Sequence, residues 1–130
     1  EQKIINIPAK LKKNNKIKLN SIDVDGIKIS YGKNNIQNMF LTFKVANYQD
    51  YFFHVEGYSG SHVIVHSNQL NEKIIRAASN IAAFNSRARY SSSVPVNYCQ
   101  VKDVKKFPNG KPGKVIIKNY KTIYIDPKEY

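Results

Sequence analysis

The chain has 130 residues, enough for one domain with its own core, and 42% of them are apolar, with nine tyrosines and six phenylalanines among the aromatic groups. That content excludes a wholly disordered tail, and no run approaches the roughly 20 apolar residues of a bilayer-spanning helix. Twenty-one Lys plus Arg against nine Asp plus Glu leave a formal charge of +12, which points to a polyanionic partner: nucleic acid, anionic lipid or an acidic protein surface.

The chain opens on Glu-Gln-Lys, with no initiator Met and no charged-then-apolar leader, and is expected to be an excised domain or a processed chain. Residues 1–15 hold Lys3, Lys10, Lys12 and Lys13 among Asn and Gln and read as an arm or linker remnant, leaving 16–130 as a single domain. Alternation with period two then begins at Ile17 and runs through Ile22-Asp23-Val24. Asp25-Gly26 interrupts it before Ile27 to Tyr31, which is the signature of a two-residue hairpin.

Gly32-Lys33-Asn34-Asn35 breaks the second strand and supplies capping residues for a helix. Its apolar face is predicted from Ile36, Met39, Phe40, Phe43 and Ala46. Tyr51 to Val55 and His62 to His66 read as strands flanking a tight Gly57–Gly60 loop. Asn71 to about Arg89 reads as the longest helix, buried through Ile74, Ala78, Ile81 and Ala82, with Lys73, Arg76, Asn80 and Arg87 on the opposite side. Val94 to Val101, Val104, Val115 to Ile117 and Thr122 to Ile125 are further strands, with a turn-rich tip at Pro108 to Gly113. The fold class expected is α+β: a largely antiparallel sheet with two main helices.

Candidate chemistry is sparse. His54, His62 and Asp50 suggest a metal-dependent nuclease or hydrolase, yet no HExxH, CxxC, Ser-His-Asp or phosphate-loop motif supports catalysis, and no cofactor or metal is expected. The single Cys99 can close no disulfide within the chain. It suits a reducing compartment and reads as a small buried hydrophobe.

Gly57-Tyr58-Ser59-Gly60-Ser61-His62 has glycines and hydroxyls suited to an anion, or to a plain β-turn, and Tyr58 is its best stacking residue. Gly32 to Asn35, leading into a helix N terminus, suits a phosphate or simple capping equally well. The two loops are expected to lie together as one anion-binding surface. Lys33, the Gly60 and Ser61 N–H groups and His62 would make the contacts, the alternative being that Asn34, Asn35 and His62 only tie the loops to each other. Between Lys73 and Lys121 the one acid is Asp103. Lys105, Lys106, Lys111 and Lys114 bracket the turn-rich tip as a second basic cluster, expected beside Arg76 and Arg87.

In chain order, Gly32-Lys33-Asn34-Asn35, Gln37-Asn38, Leu41-Thr42, Asp50, Phe53-His54-Val55 and Gly60-Ser61-His62-Val63 resemble the NFACT-R domain. This is the C-terminal module of ribosome quality control factors of the RqcH and NEMF type, often labelled fibronectin-binding proteins in bacteria. Val94-Pro95-Val96, Val104-Lys105-Lys106 and Gly110-Lys111-Pro112-Gly113-Lys114-Val115 extend the resemblance to about residues 22–127. Phe52 stands where the family has Trp, and Ser59 where it has Pro. The resemblance implies a non-enzymatic, cytoplasmic RNA-binding module that acts on tRNA or rRNA of the large ribosomal subunit and needs no membrane. A surface adhesin for host matrix protein follows only from the family's label.

Overall fold

The computed structural model describes residues 17–108 and 114–130. The predicted arm and most of the turn-rich tip, with Lys111, lie outside the described residues. Strands β1 (Asn20–Val24) and β2 (Ile27–Tyr31) pair antiparallel around Asp25-Gly26. Both turn residues have positive φ, 51° and 83°, as a two-residue turn matched to strand twist requires.

Helix α1 (Asn35–Phe40) starts at Asn34, whose side chain accepts from Gln37 N–H at 2.8 Å, while Gln37 Oε1 accepts from Lys33 N–H at 2.8 Å. The helix widens into a π-helical turn over Leu41–Val45. Its predicted apolar face is only partly used. Ile36 is 69% exposed, and the side facing the core is Asn38, Leu41 and Thr42. Periodicity placed the apolar stripe one residue step away from the face that tertiary packing selects.

β3 (Tyr51–Val55) and β4 (Val63–Val65) follow, then α2 (Glu72–Phe84), β5 (Val94–Gln100), β6 (Val104–Lys106), β7 (Val115–Ile117) and β8 (Lys121–Ile125). Six strands form one antiparallel sheet in the order β1-β2-β4-β3-β5-β8, and β6-β7 form a separate hairpin. The α+β reading holds. α2 is capped by Asn71, which accepts from Ile74 N–H at 2.9 Å. It stops at Phe84, five residues before the predicted end, because Asn85 turns its amide back to Ile81 O at 2.8 Å and Ser86 Oγ donates to Ala83 O at 2.7 Å.

Strand alternation gives the sheet two buried faces. Ile29, Phe53, Val55, Val63 and Val65 pack under Ile74, Ala78, Ile81 and Ala82 of α2. On the other face, Phe52, Ile64 and Cys99 pack under Leu41 and Val104, with Phe43, Val115 and Ile117 at the margin. α1 and the β6-β7 hairpin therefore cover the face opposite α2, and they leave part of it open between them. Cys99 is buried as expected, and burial with nearby Asp103 pushes its thiol up to about 12.

The last residues return to α2. Asn80 grips Lys128 through both backbone groups, Nδ2 to O at 2.8 Å and Oδ1 from N at 2.9 Å. The Tyr130 ring meets Phe84 and Tyr31 edge-on, and its hydroxyl accepts from Asn85 Nδ2 at 2.6 Å. Asn80, placed on the solvated side of the helix by the wheel, is thus a docking point for the chain's own C-terminal segment.

Candidate functional site

The two glycine-bearing loops do lie together. Gly32 N–H donates to His62 O at 3.2 Å, and Asn38 of α1 joins them, its Oδ1 accepting from His62 N–H at 3.0 Å and its Nδ2 donating to Gly60 O at 3.4 Å. One turn along, Thr42 Oγ1 meets His62 Nδ1 at 2.8 Å. The close approach explains both glycines. A Cβ on Gly32 would stand 2.5 Å from Asn38 Oδ1 and 2.8 Å from its backbone nitrogen, and one on Gly60 would stand 2.8 Å from Ser86 Cβ.

This packing engages several of the loop N–H groups. Ser61 N–H donates to Asn85 O at 3.2 Å, while Gly32, Lys33 and Gln37 N–H groups are all taken within the loops. Ser61 is 3% exposed and His62 1%, so these two stand in the core rather than at a surface. Of the expected anion contacts, Lys33 is exposed, Gly60 is half-buried, and Ser61 and His62 are buried in a polar seam between α1 and the Gly57–His62 segment. The residues forming it are Asn38 and Thr42, which the sequence shows within the family motif but without a role of their own. Asn34 caps α1 and Asn35 is exposed beside it.

Next to the seam, on the open part of the sheet face, is a cleft of about 650 Å³. Asn35 and Asn38 line it from α1, His54 and Asn97 from the sheet, Glu56, Tyr58 and Gly60 from the loop, and Phe107, Lys114, Val115 and Ile117 from the β6-β7 hairpin. Register explains the sheet contribution. His54 pairs with Asn97, and Asn97 with Thr122, in one row across β3, β5 and β8.

Six predicted site residues meet here: Asn35, His54, Tyr58, Gly60, His62 and Lys114. Arg87 arrives by a route the helix wheel did not foresee. It lies past the end of α2, where its N–H donates to Ser59 O at 3.1 Å beside a Gly60–Ser86 bridge, so its exposed side chain starts from the glycine loop. Lys105 and Lys106 are exposed on the hairpin, Lys106 with its ammonium 5.3 Å from the Phe43 ring. Arg76 is elsewhere. It sits on α2, across the sheet, with Nε 3.3 Å from Glu72, and Lys73 pairs with Asp25 at 3.1 Å. The two cations on α2 thus each have an acidic neighbour, Asp25 of the β1-β2 turn and Glu72, and lie apart from the lysine hairpin.

The histidines do not assemble with Asp50. The His54 and His62 rings meet edge-on at 5.6 Å, but the buried Asp50 accepts from Asn47 N–H at 2.9 Å and faces His66 Nδ1 at 3.4 Å. It lies four residues from His54 along the strand, about 13 Å at about 3.3 Å per residue. Among the described residues no group of three or more His, Cys, Asp or Glu is placed to hold a metal ion.

Burial holds His54 below the ordinary imidazole range, against backbone hydrogen bonds with Val55 and Gly60 that pull upward. Burial likewise lowers His66, outweighing the attraction of Asp50. Both are neutral at pH 7. In the unfolded chain both titrate near about 6.5, so between that value and the lower folded one the unfolded state binds more protons. Stability should be intact above about pH 6.5 and fall as the pH drops through the folded values. Urea midpoints at about pH 7.5 and about pH 5.5 check this, and His66→Gln should narrow the difference between them.

The site is thus a cleft on the open sheet face of a small α+β domain, lined by Tyr58, Phe107 and Lys114 among others. The family model for the NFACT protein RNA binding domain matches residues 19–119. The Rqc2 homologue RqcH of Bacillus subtilis is 45% identical over 103 residues, which cover 78% of this chain and 18% of that protein. RqcH of Streptococcus suis is 38% identical over 102 residues, again 78% of this chain and 18% of that protein. Among solved structures, the C-terminal part of the fibronectin/fibrinogen-binding protein from Streptococcus suis superposes with a TM-score of 0.80 at 31% identity, covering 97% of this chain and 57% of that one. The chain belongs to the NFACT RNA-binding domain family, a family of binding modules, and it spans about a fifth of the length of the curated relatives it matches.

Proposed function

We propose that this domain binds RNA on the ribosome, tRNA or rRNA of the large subunit, as part of ribosome-associated quality control. Family membership supports RNA as the ligand, and the relatives named RqcH support the setting. The structural observation that carries the reading is the lysine-bearing hairpin beside the cleft. Lys114 lines the cleft, Lys105 and Lys106 stand exposed on the same β6-β7 hairpin, and Arg87 is exposed next to the glycine loop, whereas Lys73 and Arg76 on the opposite side of the sheet have acidic neighbours. Free cations around a concave surface attract phosphates; paired ones are largely neutralised.

Each phosphate contact contributes about 0.7 to 0.9 log units of affinity per decade of salt. Four contacts predict a loss of roughly 50- to 150-fold between about 50 and about 200 mM salt. A fluorescence titration of tRNA into the 130-residue chain checks this. Absence of binding near 50 mM salt, or binding indifferent to salt, contradicts the reading.

A further inference from the structure

Lys114 lines the cleft and Lys105 and Lys106 stand exposed on the same hairpin, but the cleft itself is not built for a phosphate. Glu56 lines it, and its charge opposes an anion entering. His54 is held neutral by burial. What the interior offers instead is aromatic surface and one amide. Tyr58, 49% exposed, comes from the glycine loop, and Phe107, half-buried, comes from the segment after β6.

Asn97 is the polar group on the floor, only 8% exposed and flanked in register by His54 and Thr122. Thr122 Oγ1 donates to its Oδ1 at 2.7 Å. With Oδ1 so engaged, Nδ2 is the remaining hydrogen-bonding group of an amide that lines the cleft. A donor held in this way can give a hydrogen bond to an occupant that carries an acceptor to this point. The volume, about 650 Å³, is in the ordinary range of small-ligand clefts.

We infer that the cleft takes one unpaired nucleobase, stacked against Tyr58 and Phe107 with an edge acceptor on Asn97 Nδ2, while the sugar-phosphate backbone runs over the lysines outside. The inference rests on the RNA reading above and adds to it that the domain prefers single-stranded or extruded nucleotides to duplex. The deep, narrow major groove of an A-form helix keeps side chains from its base edges and paired bases offer no free face to stack on, whereas unstacked bases are recognised through aromatic stacking and edge hydrogen bonds.

The test uses short labelled homopolymers of A, C and U and a blunt RNA duplex, titrated into the 130-residue chain by fluorescence anisotropy. Single strands should bind more tightly than duplex. Tyr58→Ala, a change at an exposed loop position, should weaken single-strand binding roughly five- to a hundredfold without altering the salt slope, and Tyr58→Phe should restore it. Asn97→Asp keeps the Thr122 contact but replaces the donor by an acceptor, and should change the order of preference among the homopolymers. Equal binding of duplex and single strand, unchanged by Tyr58→Ala and with a normal salt slope, overturns the base cleft and leaves RNA binding standing. Failure of every RNA to bind overturns both.

Discussion

Replacing Asn38 by Ala should destabilise the domain by about 2–4 kcal/mol, far more than its place on a six-residue helix suggests. Asn38 Oδ1 is the acceptor for the buried N–H of His62, and a buried donor left without a partner costs about 1–3 kcal/mol. The substitution also removes the bond to Gly60 O and opens space where Gly32 was kept small to admit the side chain. Asn34→Ala, which removes only the cap of α1, should cost about 1 kcal/mol. Urea unfolding of both variants separates the two roles. A cost for Asn38→Ala no greater than for Asn34→Ala would mean that the seam does not hold α1 to the Gly57–His62 segment.

The second large effect is on affinity. Lys105, Lys106 and Lys114 are exposed and without acidic partners among the described residues, so each is free to neutralise a phosphate. On the counterion argument one such contact is worth about 0.9 log units at about 50 mM salt, and the triple Ala variant should bind tRNA roughly 10²- to 10³-fold more weakly. Its salt slope should fall by about 2 to 3, because released counterions, not only affinity, are lost. Lys73→Ala with Arg76→Ala is the control. Those cations are already paired across the sheet, so the change in affinity should be small. A comparable loss in both variants would remove the hairpin's special role.

Much of this arrangement was legible from local chemistry. Asp25-Gly26 determined its hairpin because few other residues accept two successive positive φ angles, and the alternation in Tyr51–Val55 and Val94–Gln100 determined which residues face which core. The strand-loop-strand reading of Tyr51 to His66 put His54 and His62 on neighbouring strands, where their rings meet edge-on, but it did not separate them from Asp50. What stayed hidden depended on contacts distant in sequence. Asn38 and Thr42 form an i, i+4 polar pair that looks like a solvated helix face. Only the arrival of the His62 segment makes them an interior surface and leaves Ile36 outside. Arg87 fits a helix wheel, but the side-chain bonds of Asn85 and Ser86 end the helix first and turn it toward the glycine loop. Asn97 carried no signal of its own, because its importance comes from register with β3 and β8.

The central claim is that RNA is bound on the open sheet face, between the glycine loop and the β6-β7 hairpin. Mapping backbone amide shifts by two-dimensional NMR during addition of tRNA tests it most directly. The account predicts that perturbations concentrate at His54 to Gly60, Asn97, Lys105 to Phe107 and Lys114 to Ile117, while the exposed side of α2 around Lys73 and Arg76 stays unchanged. Perturbations centred on α2, with the cleft and hairpin silent, would contradict it.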